Sequence, residues 1–596
     1  MYSRAYLLAD LLIFSLMSLP GTSQASRKDP PPGSGSSSSS DEVASVIRTF
    51  TRMVTLEVVV KDSKGNHVTG LKPEDFQVFE QTTTHKKGKR EQRIATFREY
   101  SMSDLAAHDS GFAGQIPAGV YTNAVSSLKD PVPPTIILVD GLNTDPKYQG
   151  QVHAQMLKML RQLPPDIPVA VFLLGARLRM VQDFTTDPKL LQAALNVTPA
   201  GVGVATIDPR DDPHSMGTVE ENAGYFSHDL VEAAKEFDQK TFAAEMDTRV
   251  DRTIDALLSI GRHVAGYPGR KNLLWLSTAF PVALAPISDT GRELRESMFD
   301  ADAGKRDYSV QIERLNAALS DARVAVYPMN IAGVQTLHLF EAETIPANAD
   351  PYHNAISVQD AARRDVMMRG YEQETMQTVA DGTGGAVCVG DNDLADCVRK
   401  AVDDSSRFYE IAYYPGSKDW NGEYRRIIVD AKVKGMHLEY RQGYFASPEG
   451  NDAGAKDDLQ RAACEGSLDA TAIFLAAKSL PHDPKETMKF YLIINPAALT
   501  FTASGDGRRE VNLRVGVCTF DETGKPLHYM SDAVDQKLTA GEYLLLANHG
   551  LPHVVSIAGR RPTSVRLAIM DLPSGKIGSV LVNFVAPAGA APVAAK

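Results

Sequence analysis

Cysteine is scarce, with only four in 596 residues: Cys388, Cys397, Cys464 and Cys518. That excludes a disulfide-dense scaffold, and the spacings are too wide for the paired clusters of a structural zinc site. Four cysteines allow three pairings. Cys388 and Cys397 stand nine apart across a strand-to-helix turn and form the candidate disulfide, whereas Cys518 reads as a small core residue within a strand. Basic excess is missing too. Sixty-two basic against 74 acidic residues leave a net charge of −12, spread along the chain without a basic stripe. Such a chain repels phosphate backbones, so nucleic acid is not an expected partner.

Catalytic signatures are absent. The sequence holds no Gly-x-Ser-x-Gly elbow, no His-Glu-x-x-His, no Walker A and no Gly-x-Gly-x-x-Gly opening the first helix. Its 14 histidines are scattered without pairing. The expectation is a non-enzyme, with a hydrolase assembled from dispersed residues as one alternative. Long apolar runs end early. Residues 1–25, with Arg4 before "AYLLADLLIFSLMSLP" and small Ser23 and Ala25, are expected to be a cleaved export signal. No later stretch is long enough to span a bilayer, so the mature chain is expected to be exported without a transmembrane segment.

What is present is patterned. Residues 26–44 form a Pro/Gly/Ser-rich spacer. Residues 45–101 alternate, with Val54, Leu56, Val58 and Val60 on one face, and predict a small Ig-like β domain. A linker covers 102–132. Residues 133–405 then carry continuous apolar runs between helical patterns: "TIILVD", "VAVFLLG", "NLLWLS", "VAVYPMN" and "GAVCVG". Strands apolar on both faces and separated by helices mean a mostly parallel sheet covered on both sides. "RMVQDF" at 179–184 follows closely enough to be an antiparallel hairpin partner, and "PGRK" at 268–271 reads as a turn placing Arg270 and Lys271 at the sheet's edge. A β-extension spans 406–447, a β-sandwich-like domain 455–586, and a frayed tail 587–596. The tyrosine-rich extension predicts cross-strand packing, with Tyr413, Tyr414 and Trp420 as a candidate partner-binding face.

The run "PPTIILVDGLNTD" delivers Asp140, Asn143 and Thr144 at the carboxyl end of the first α/β strand. Open parallel sheets bind ligands there, and a carboxylate with amide and hydroxyl neighbours suits a hard cation. This run, with "VTLEVVVKDSKGNHVTGLKPEDFQVFE", "YPGRKNLLWLSTAFP", "ADGTGG" and "YYPGSKDWNGEYRRIIVDAKVKGMHLEYRQGYF", resembles the von Willebrand factor type A family over roughly residues 50 to 447. The resemblance is closer to one exported bacterial group, the acidobacterial proteins with VWFA-related domains. The resemblance implies a central Rossmann-like α/β domain flanked by β-sandwich-like domains, a protein partner, and adhesion at or outside the cell envelope.

It also implies Mg²⁺ on an Asp-x-Ser-x-Ser loop, a threonine and a second aspartate. Here the first loop reads Asp140-Gly-Leu-Asn-Thr144, the threonine would be Thr185 or Thr186, and the third loop offers Ala279. Losing a hydroxyl and a carboxylate weakens Mg²⁺ binding. Two readings follow. In one, Asp140 and Thr144 cap the following helix and fix the loop. In the other, a weak Mg²⁺ site of Asp140, Asn143, Thr144 and Thr186 is completed by a partner. A metal-independent envelope scaffold is the remaining alternative.

Overall fold

The computed structural model describes residues 53–82, 88–101, 119–125, 133–144, 149–163, 167–196, 228–278, 308–330, 373–388, 394–417, 419–446, 452–466, 468–480, 487–557 and 562–584. The expected export signal, spacer and tail lie outside them.

The chain opens with β1 (Val54–Lys61), β2 (Phe76–Thr82), β3 (Arg90–Gln92) and β4 (Ile94–Tyr100). The alternation in β1 buries Val54, Leu56, Val58 and Val60 at 5% exposure or less. β1 and β2 do not pair with each other: β2 pairs with the following β3, but both neighbours of β1 and the other neighbour of β2 come from far along the chain. Within the expected linker, Val120–Thr122 forms a further strand, β5.

The α/β unit follows, with β6 (Thr135–Asp140), β7 (Val169–Leu174), β8 (Leu178–Thr185), β9 (Lys271–Ser277) and β10 (Val324–Asn330) in the order β10-β9-β6-β7-β8. β10, β9, β6 and β7 are parallel, and β8 returns antiparallel to β7 as the expected hairpin. Helices α1 (Gln149–Gln162), α2 (Pro188–Asn196), α3 (His228–Val264), α4 (Ser309–Asp321), α5 (373–383) and α6 (Leu394–Ser406) belong to this unit. Successive residues of β6 feed two separate cores: Ile136 and Leu138 pack with Leu257 of α3 and Leu315 of α4. Ile137 and Val139 pack with Met156 of α1 and Val398 of α6. Burial on both faces is why the strand is apolar throughout. The expected strand "GAVCVG" is reduced to one parallel bridge, Cys388 to Met329, with 389–390 outside the described residues.

After α6 come β11 (Phe408–Tyr413), β12 (Tyr424–Ala431), β13 (His437–Glu439) and β14 (Gly443–Phe445). They complete the sheets left open at the start. One sheet runs β13-β1-β11-β4, with Val54 opposite Tyr413; the other runs β14-β12-β2-β3, with Phe79 opposite Ile428. Residues 45–101 and 406–447 are therefore not two units, as the sequence suggests, but the two halves of one β-sandwich with a common core. The α/β unit is inserted between them.

The C-terminal unit begins at α7 (Asp452–Gln460) and a π-turn at Arg461–Glu465. Its strands are β15 (Leu475–Ser479), β16 (Met488–Ile494), β17 (Thr502–Ala503), β18 (Arg509–Phe520), β19 (Pro526–Leu538), β20 (Leu551–Ile557), β21 (Ser564–Asp571) and β22 (Ile577–Asn583), with α8 (Ala540–His549) between β19 and β20. Sheets β20-β16-β15-β5 and β17-β18-β21-β22, the latter with β19 on β18, enclose one apolar core. The expected linker thus contributes β5 to this unit, and Asn123 fixes it by donating to the carbonyls of Ala470 (2.6 Å) and Ile473 (2.8 Å). Two disulfides are present, Cys388–Cys397 and Cys464–Cys518. Cys518 is therefore a cross-link from β18 to the π-turn rather than only a small core residue.

Candidate functional site

Asp140 ends β6 with no exposed surface. Its Oδ1 accepts the backbone N–H of Asn143 (2.9 Å), and its Oδ2 accepts Asn143 Nδ2–H (2.7 Å) and the indole N–H of Trp275 (2.9 Å). Burial pushes its carboxyl above the ordinary range, against the opposing pull of these donors. Thr144 Oγ1 donates back to the Asp140 carbonyl at 2.5 Å. Asn143 Nδ2 also donates to Thr253 Oγ1 on α3 (3.0 Å), and Ser277 Oγ, at the end of β9, to the Asn143 carbonyl (3.4 Å). The loop is thus tied to β9 and α3.

The residue positions expected of a metal loop are only partly gathered. Asp140, Asn143 and Thr144 meet, all buried, and Leu142 is buried among apolar neighbours. Thr186 is exposed beyond the end of β8, and no described contact links it to Asp140. Thr185 Oγ1 instead accepts the Asp187 N–H (3.1 Å). Ala279 lies outside the described residues. Trp275 is the participant that sequence reading missed, because an indole inside an apolar strand reads as core alone.

The candidate partner face in the sandwich is divided. Tyr413 is fully buried and donates to Glu80 Oε1 (2.9 Å), as does Tyr444 (2.6 Å), so Tyr413 offers a partner nothing. Burial and the Glu80 carboxylate raise the Tyr413 phenol far above its usual value. Tyr414 is 49% exposed. Trp420 lies partly buried over the Arg425 guanidinium, 5.2 Å from its ring centroid.

The opposite, amino edge of the parallel sheet carries a buried charge network. Arg270 and Lys271, at the start of β9, are each 1% exposed, so the expected edge turn is covered. Arg270 Nη1 lies 3.8 Å from Glu57 Oε2 on β1, and its Nη2 donates to the Gly384 carbonyl (2.6 Å). Arg323, before β10, reaches Glu57 (3.6 Å) and Glu410 of β11 (2.7 Å). Lys61 of β1 pairs with buried Asp404 of α6 and lies 3.5 Å from Glu439 of β13. Three cations thus meet four carboxylates across this seam. Lys271 donates to the Ala322 carbonyl (2.8 Å), and burial pulls its ammonium down to about 7, opposed by Glu57 and reinforced by Arg323.

The C-terminal unit attaches at the same edge. Beyond α3, Gly266 N–H donates to Thr471 Oγ1 (2.8 Å), and Thr471 N–H donates to the Arg262 carbonyl (3.0 Å). A Cβ on Gly266 would stand 2.5 Å from the Thr471 carbonyl oxygen, so only glycine permits this approach.

The fold is mixed α/β, one sheet with parallel strands set among antiparallel ones. No family model matches the chain, and no curated protein does. Among solved structures, the chain is similar to an aerotolerance-related membrane protein from Bacteroides fragilis NCTC 9343 carrying multiple mutations to serine. The match is 9% identical, covers 46% of this chain and 98% of that one, and has a TM-score of 0.22. No helix among the described residues is long and apolar enough to cross a membrane.

Proposed function

We propose that this chain is an exported, non-enzymatic protein-interaction or adhesion protein of the cell envelope. Its von Willebrand factor type A-like unit would present the carboxyl edge of the parallel sheet to a protein partner. The carrying observation is the placement of attachments. The sandwich is held at the amino edge through Arg270, Arg323 and Asp404, and the C-terminal unit bonds Gly266 there. Asp140, Asn143 and Thr144 stand at the opposite, carboxyl edge, where open α/β sheets take ligands.

In this reading Asp140 braces the edge from within. Its two oxygens already accept three N–H groups, Leu142 stands where a hydroxyl ligand belongs, and Thr186 is remote from its contacts. This donor set does not fit Mg²⁺, which requires a near-octahedral shell of oxygens. Partner binding is then independent of metal. Calorimetric titration of Mg²⁺ and Mn²⁺ into the full chain tests this, with Asp140→Ala beside the wild type. The expected result is no saturable heat in either. Saturable heat in the wild type alone would restore a metal-dependent adhesion site.

A scaffold acting through its β units is favoured by one observation. Leu544 and Leu545 on α8 are both 62% exposed. Loss of envelope retention in Leu544→Asp, with the carboxyl edge untouched, would select that reading.

A further inference from the structure

A concavity lies at the seam, on the amino-edge side. It is an open cleft of about 900 Å³ between the turn after β1, the outer face of α6 and β13. That volume is ordinary for a small-molecule site. In a chain of net charge −12, its walls nonetheless hold four cations, Lys61, Lys64, Arg399 and Lys400, against three carboxylates.

The carboxylates are already engaged. Asp62 accepts the Lys64 N–H (2.8 Å), the Asn66 N–H (2.9 Å) and Asn66 Nδ2–H (3.0 Å), all within its own turn. Asp403 Oδ2 lies 2.9 Å from His67 Nε2. Glu439 Oε1 faces Lys61 at 3.5 Å and Lys400 at 3.4 Å. Two cations are less committed. Lys64 is exposed and has no carboxylate partner among the described residues. Among the described residues Arg399 pairs with Asp396 alone, one turn back on α6, where both side chains are more than half exposed. Such a pair contributes about 0–1 kcal/mol and yields readily to a better anion.

A divalent cation is the competing occupant, because ligand atoms of His67, Asp403 and Asp404 lie within 4.8 Å of one another. The Lys61 ammonium already rests against Asp404, however, and Lys400 adds like charge. The loosely held, exposed charges of the cleft are the cations Lys64 and Arg399, and these suit an anion. We propose that the seam cleft binds a small polyanion, bearing two or more carboxylate or phosphate groups, held between Lys64 of the sandwich and Arg399 of α6. Arg399 supplies a planar fork and Lys64 a point charge. A ligand so held would bridge the two units.

The test is calorimetric titration of citrate and of pyrophosphate into the full chain, at low and at raised salt. Lys64→Ala and Arg399→Ala serve as variants, since both side chains are exposed and removable without loss of fold. Saturable binding of at least one anion is expected, weakened by salt and weakened about tenfold or more in each variant, as for a lost charge-assisted hydrogen bond. The preferred probe tells carboxylate from phosphate. Absence of heat with both anions, or unchanged affinity in both variants, would overturn the proposal. Zn²⁺ binding abolished by His67→Ala, with no anion binding, would replace it with a metal centre.

Discussion

Lys271 gives the structure a measurable pH dependence. Its ammonium is buried where one carboxylate, Glu57, already serves Arg270 and Arg323, so the charged form has little compensation. The folded value is about 7 against 10.5 for an ordinary lysine. At about 1.4 kcal/mol per unit, this is a penalty on the order of 5 kcal/mol for the charged form. The unfolded chain keeps its proton up to about pH 10, while the folded chain releases it above about 7. The penalty is therefore complete below pH 7, and folding stability rises with pH from 7 towards 10. Between pH 7 and 9.5 the expected gain is about 3 kcal/mol. Tyr413 and Tyr327, whose buried phenols are raised above their usual value, set the upper limit, because stability falls again as unfolded tyrosines ionise above about pH 10. Urea unfolding of the wild type and Lys271→Met at pH 6.5, 8 and 9.5 reads the effect. The variant lacks the titrating amine and should show a flat profile over that range, offset by about 1–3 kcal/mol for the orphaned Ala322 carbonyl. Parallel profiles in the two proteins would refute the argument.

Three further outcomes are expected. Asp140→Ala removes the shared acceptor of the Trp275 indole N–H and of two Asn143 N–H groups, costing about 1–3 kcal/mol apiece at most; a lower melting temperature with red-shifted tryptophan emission would register this, and an unchanged melt would deny Asp140 its bracing role. Separate Cys→Ser variants should rank the disulfides by loop length: loss of Cys464–Cys518, separated by 54 positions, costs about 4 kcal/mol against about 3 for Cys388–Cys397, separated by nine, and equal or reversed losses would contradict the loop-closure account. In Gly385→Ala, the new Cβ would sit 1.9 Å from the Val326 carbonyl oxygen of β10, so the chain must move, with a loss of about 1–3 kcal/mol; thermal unfolding matching the wild type would show that this approach is not rigid.

The α/β sheet was legible because burial on two faces leaves an unmistakable trace: "TIILVD" and "VAVFLLG" have no polar residue until their ends. The hairpin to β8 was legible from the short interval before Arg179. The pairing of β1 with β11 was not. Period-two alternation shows that a strand has a buried face, yet says nothing of what covers it or how far away that partner lies. At the strand end, Asp140, Asn143 and Thr144 could be read as a cluster, whereas the Trp275 contribution required the neighbouring strand in register. The seam escaped for another reason. Glu57 and Lys61 occupy strand positions that look like a solvated face, and only the arrival of β9, β10 and α6 buries them.

The insertion of the α/β unit between the halves of the sandwich has a kinetic consequence. Val54 cannot find Tyr413 until the whole inserted unit has been synthesised. At about 5–20 residues per second, that delay is roughly 20–70 s. Throughout it the apolar run "VTLEVVV" is an unpaired strand of the kind that recruits other chains. The α/β sheet, whose contacts are closer in sequence, can form while β1 still waits. The sandwich then closes only after the α/β sheet, and the rate at which it closes governs how much of the newly made protein escapes aggregation.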